Sequence, residues 1–129
     1  MNSLTNFDIE NYCKHHQIPT FRGVFMRDTL PPKPLQTELA ILNLDSIQNK
    51  GTHWTLYFKN NNTCYFYDSY GQDPPAELFA YLKQHIWTST FVMQDLGTKY
   101  CGHLCLILAK LISHTNDFVT ALLKLNSHL

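Results

Sequence analysis

Apolar and polar positions alternate between two periods along this chain, and the change of period marks its elements. Residues 6–16 carry Ile9, Tyr12 and Cys13 on one helical face, with Asn6 placed to cap the turn. Residues 20–26 are β-prone but interrupted by Gly23, and Pro31, Pro32 and Pro34 then forbid regular pairing. Residues 39–44 are a short apolar run that suits a buried strand. Residues 53–59 and 63–68 are aromatic-rich and alternating, and the asparagines between them tolerate positive φ, so the pair reads as an antiparallel hairpin. Pro74 and Pro75 open a helix that Asp73 can cap, with Leu78, Leu82 and Ile86 on its buried face. A further strand is expected over 89–93 and a loop over 94–100. A strongly apolar helix follows over 101–112. A last helix, capped by Thr115 or Asn116, ends near residue 126. This order predicts one α+β domain over 1–129: a mixed central β-sheet flanked by helices.

Composition narrows the function classes. A chain of 129 residues with 44% hydrophobic and 16% charged positions supports a single packed core without staples. Ten basic residues balance ten acidic ones, so charge argues against a nucleic-acid partner. No apolar run approaches the roughly 20 residues of a membrane span. The start lacks the basic and apolar regions of a secretory signal. With Cys13, Cys64, Cys101 and Cys105 in such a chain, an intracellular, reducing setting with free thiols is expected. No two cysteines form a C-x-x-C pair. The spacing of His53, Cys64, Cys101 and His103 fits no zinc pattern, so no metal or cofactor is expected.

Candidate chemistry starts at Cys101. It sits where a polar loop meets an apolar helix, and the unpaired N–H groups of a helix start lower a thiol pKa. Gly102 follows and would let a substrate backbone approach. Cys105, one turn further, reads as core. His53 opens a strand after a glycine-containing loop. If Asn60-Asn61 forms a two-residue turn, Lys59 pairs with Asn62 and Asp68 lies directly opposite His53, with Cβ atoms about 5 Å apart. That acid can fix the imidazole tautomer. Gln94, seven residues before Cys101, can aim its amide at an oxyanion, with the Cys101 N–H as second donor.

The series GTHW, CYFYDSYG and QDLGTKYCGHLC over residues 21–112 resembles the adenovirus-protease-like (adenain) branch of the Ulp1-type cysteine peptidases. Proteases of Maverick/Polinton-like elements and related DNA viruses look most similar. The resemblance implies a papain-like, Ulp1-like core with its nucleophile at a helix N-terminus. Cys101 then matches the nucleophile, His53 the general base, Asp68 its orienting acid and Gln94 the oxyanion donor. It implies a protease that cuts viral structural precursors during virion maturation, with protein substrates and an activating peptide as partners. A disulfide to such a peptide cannot be assigned, since Cys64 sits in a strand. Arg27, Asp28 and Asn43 belong to segments that resemble the family's framework and groove. Departures are the short chain and Asp where adenovirus enzymes carry Glu. The same four residues would also serve an isopeptidase acting on ubiquitin or SUMO conjugates, or an acyltransferase. A catalytically silent interaction module would keep the fold without the chemistry.

Overall fold

The computed structural model describes residues 4–45, 53–89 and 100–127. The elements are α1 (Asn6–His15), β1 (Phe21–Met26), β2 (Thr37–Asn43), β3 (Trp54–Asn60), β4 (Thr63–Tyr67), α2 (Ala76–Leu82), β5 (Ile86–Thr88), α3 (Cys101–Thr115) and α4 (Phe118–Ser127). The fold is α+β, with one five-stranded mixed sheet in the order β1-β2-β3-β4-β5. The outer pairs β1/β2 and β4/β5 are parallel, and the inner pairs β2/β3 and β3/β4 antiparallel.

The period-2 alternation of the central strands explains the three layers. Leu39, Ile41, Trp54, Leu56 and Phe58 point to one face, where Ile9 and Cys13 of α1 and the apolar sides of α3 and α4 cover them. Ala40, Leu42, Tyr57 and Phe66 point to the other, against Leu78, Tyr81 and Leu82 of α2. Burial on both faces is why residues 39–42 read as one unbroken apolar run. Gly23 sits at the register shift of β1 with φ +153°, where a Cβ would stand 2.9 Å from the Phe25 ring.

The structure corrects several boundaries. Thr5, not Asn6, caps α1: its hydroxyl accepts from Asp8 N, and Asp8 returns a bond to Thr5 N. Pro75, without a side-chain cap bond, precedes α2 in place of Asp73. Lys83, at φ +57°, ends that helix, so Ile86 leaves its face and pairs with Cys64 in β5. The strand expected over 89–93 thus begins earlier; residues 90–93 lie outside the described residues. Helix α3 runs to Thr115, and Asn116 is its left-handed C-cap. Asp117 caps α4 by accepting from Thr120 N at 2.9 Å.

The hairpin turn is also displaced. Asn60 pairs with Thr63, so the turn is Asn61-Asn62, with Asn61 at φ +55°. Asn60 stays in the ladder because β2 extends to Thr37, which pairs with it on the other side. Asp68 is therefore not directly opposite His53; continued, the ladder would set it against Thr55. The displacement is by two residues, one full strand period, so His53 and Asp68 keep the same face as diagonal neighbours.

Glu38, in β2, is fully buried beneath α2. Its carboxylate accepts from Tyr57 OH at 2.6 Å, Tyr81 OH at 2.7 Å and Leu35 N at 2.7 Å, and Arg22 Nη1 stands 3.8 Å away. Burial beside this carboxylate pushes both tyrosine pKa values far up. Glu38→Ala would strand two buried hydroxyls and a cation. The expected loss is about 3–5 kcal/mol, or a fall in Tm on the order of 10–20 °C, read by thermal unfolding.

Candidate active site

His53 immediately precedes β3 and Asp68 immediately follows β4, so the hairpin sets both at one end of the sheet. His53 Nε2 lies 2.7 Å from Asp68 Oδ1, with the histidine side chain 15% exposed and the aspartate fully buried. Asp68 is held by its own turn. Tyr70 N donates to Asp68 Oδ1 at 2.8 Å, and Gly71 N, in a residue at φ +73°, donates to Asp68 O at 2.8 Å. The Tyr70 ring stacks on the imidazole, centroids 4.7 Å apart and 20° between planes.

Cys101 is the first residue of α3, which has no side-chain N-cap bond. Its helix dipole end is therefore directed at the sulfur. The thiol is nearly buried, accepts from Trp54 N at 3.4 Å, and is hydrogen-bonded to the His53 imidazole. Thus β3 brings both the imidazole and a backbone N–H to the sulfur from adjacent residues. Burial raises the Cys101 pKa, but the His53 hydrogen bond and charge and the Trp54 and Gly102 N–H groups outweigh it and leave the thiol below its ordinary value. Burial likewise opposes a charged His53. The hydrogen bonds and charges of Asp68 and Cys101 prevail and raise it to about 9. Both shifts favour the same state, a thiolate beside an imidazolium.

The other three cysteines behave oppositely. All four are free. Burial pushes Cys13 up to about 12, raises Cys64, and lifts the fully buried Cys105 well above the usual thiol range. Cys105 donates to Trp54 O at 3.5 Å. Cys64 faces α2, across the sheet from Cys101, so the tetrad His53, Cys64, Cys101 and His103 does not converge. No set of three metal-ligating side chains occurs among the described residues.

Gly102 has a different role from the one its position suggests. A Cβ there would stand 3.1 Å from Trp54 Cδ1 and 3.2 Å from Leu4 Cδ1, so the missing side chain lets α3 seat against β3. The Trp54 indole donates to Leu4 O at 3.0 Å and is packed, not presented to solvent. Arg27 makes an exposed 3.5 Å ion pair with Glu77. Asn43 is buried, and its Oδ1 accepts from Asp45 N at 2.8 Å. Gln94 lies outside the described residues. Sequence reasoning missed Tyr70 and the Trp54 N–H; the D-S-Y-G turn was a signal for the first, as the turn that brings Asp68 to its partner returns the next aromatic over it.

No family model matches this sequence, and no curated protein does. Among solved structures, the chain is similar to the ASFV pS273R protease: 16% identity over 93% of this chain and 61% of that one, with a TM-score of 0.64. A second crystal structure of that protease, the selenomethionine form, matches at 17% identity over 69% of this chain and 39% of that one, TM-score 0.53. The fold is thus that of a viral protease, and the chain spans about three-fifths of that protein's length. The likeness singles out neither the adenovirus nor the Maverick/Polinton branch. No helix among the described residues is long and apolar enough to cross a membrane.

Proposed function

We propose that this chain is a thiol endopeptidase that cleaves viral structural precursors during virion maturation, using Cys101, His53 and Asp68. The observation that carries the reading is the relay from a buried carboxylate through one imidazole to a thiol at an uncapped helix start. The shared fold with an ASFV protease supports it.

In this mechanism the Cys101 thiolate attacks the scissile carbonyl carbon and the carbonyl electron pair moves to oxygen. The resulting oxyanion is received at the α3 N-terminus by the Cys101 N–H and by the Gln94 amide, the latter proposed from its sequence position. With Nε2 engaged by Asp68, Nδ1 is the nitrogen left to face the sulfur and the leaving group. His53 gives its proton to the departing amine as the C–N bond breaks, leaving a thioester. It then takes a proton from water as hydroxide adds, and collapse releases the carboxylate product and the thiolate. Asp68 holds the ring and stabilises its charged form.

The test incubates the purified chain with viral capsid precursors, ubiquitin and SUMO conjugates, and acetyl-CoA, beside Cys101→Ala. Precursor cleavage by the wild type alone is the expected result. Conjugate cleavage without precursor cleavage would assign an isopeptidase instead, and acetylation of Cys101 an acyltransferase. No turnover together with no selective labelling of Cys101 by a thiol electrophile would leave an interaction module.

A further inference from the structure

We infer that the groove between α1 and α3 is a docking surface for an acidic peptide segment carrying an apolar anchor. His103, Ile107, Lys110 and His114 follow one another at helical spacing along one side of α3. Where this stripe meets α1, a cavity of about 290 Å³ is lined by Tyr12, Ile107, Lys110, Leu111 and His114. Its floor is apolar, and Ile107 is 46% exposed. That volume lies just under the range of small-molecule sites and suits one or two apolar side chains of a peptide.

The rim chooses the partner's charge. Lys110 and His114 line the cavity. The His16 ring lies tilted by 38° against Tyr12, centroids 4.1 Å apart, and the His15 ring centroid stands 5.2 Å from that of His16. Desolvation and the neighbouring Lys110 and His15 lower the His16 pKa and favour its neutral form, so Lys110 carries the rim's positive charge. Of the two acids of α1, Asp8 stands one turn before Tyr12 on the same side of the helix. Asp8 is engaged with Thr5, and its charge acts on His103 at the far end of the stripe. Glu10 is roughly 160° around the helix from Tyr12. Among the described residues the cavity itself is thus lined by an apolar floor with imidazole and ammonium groups and by no carboxylate. A peptide supplying aliphatic anchors flanked by carboxylates complements both features. A nucleic acid offers no aliphatic anchor, and the chain's ten basic residues are matched by ten acidic ones. Ile107 is about 120° around α3 from Cys101, so an occupant of this groove leaves the thiol accessible.

The experiment titrates the full chain with a fluorescent acidic peptide bearing leucines at i and i+4 spacing, and with its Glu→Lys and Leu→Ser counterparts. Saturable binding of the acidic peptide is expected, weakened about tenfold or more in either counterpart. Ile107→Asp and Lys110→Glu should each weaken it to a similar degree. Both variants should retain wild-type circular dichroism and wild-type alkylation of Cys101, since neither residue is in the core or the site. The proposal is overturned by absence of saturable binding, by equal binding of acidic and basic peptides, or by indifference to both variants. It is equally overturned if duplex DNA binds the same face as tightly, or if sedimentation reveals a dimer that Ile107→Asp dissolves.

Discussion

Cys101→Ala and His53→Ala are each expected to lower peptide hydrolysis by a factor on the order of 10⁴–10⁶, with the double variant no worse than either single one. The reason is that the two side chains act as one device. Burial alone would hold the Cys101 thiol above its ordinary pKa, and the first influence working against burial is the His53 hydrogen bond. Alkylation separates this from a folding defect. In the wild type at neutral pH, iodoacetamide should modify Cys101 well before Cys13, Cys64 or Cys105, all of which are pushed up by burial. His53→Ala should erase that preference while leaving the circular dichroism unchanged. Selective alkylation of Cys101 that survives the loss of His53 would mean that the helix start and the Trp54 N–H suffice, and the relay reading would be wrong.

Parity explains why the meeting of His53 and Asp68 was legible although the register was not. Turn position depends on whether Asn60 pairs or turns, and that is decided by Thr37 of a strand the hairpin itself does not contain. Face depends only on odd or even separation, which a two-residue displacement leaves intact. The helix start at Cys101 was legible for a local reason as well: a polar segment gives way there to an apolar one. Features built from distant residues were not. Nothing near Glu38 announces that Tyr57 and Tyr81 will close over it from β3 and α2. The stop at Lys83 is a left-handed lysine, a conformation that local propensity disfavours. The Thr5-Asp8 cap, by contrast, stood in the sequence as a T-x-x-D pattern and was passed over for Asn6.

Asp68→Asn isolates charge from geometry at this site. Both described hydrogen bonds to the carboxylate, from His53 Nε2 and Tyr70 N, fall on Oδ1, and an asparagine oxygen can accept both. Oδ2 is buried without a partner among the described residues, so the amide nitrogen would replace it without breaking a bond. What disappears is the negative charge that helps raise His53 to about 9. Activity is expected to fall by a factor on the order of 10²–10⁴. The pH profile should also move. In the wild type the alkaline limb is expected near pH 9, where His53, raised to about 9, would lose the proton that the proposed mechanism gives to the leaving amine. In the variant that limb should shift to lower pH. Stability offers an independent reading. A histidine whose folded pKa is raised contributes fully below its unfolded value of about 6.5 and loses that contribution as pH climbs through the folded value. The gap in unfolding free energy between wild type and Asp68→Asn should therefore be widest near about pH 6 and narrow by about pH 10. A gap that is flat across this range would mean that Asp68 anchors the turn through Tyr70 and Gly71 and leaves the imidazole charge to Cys101 alone.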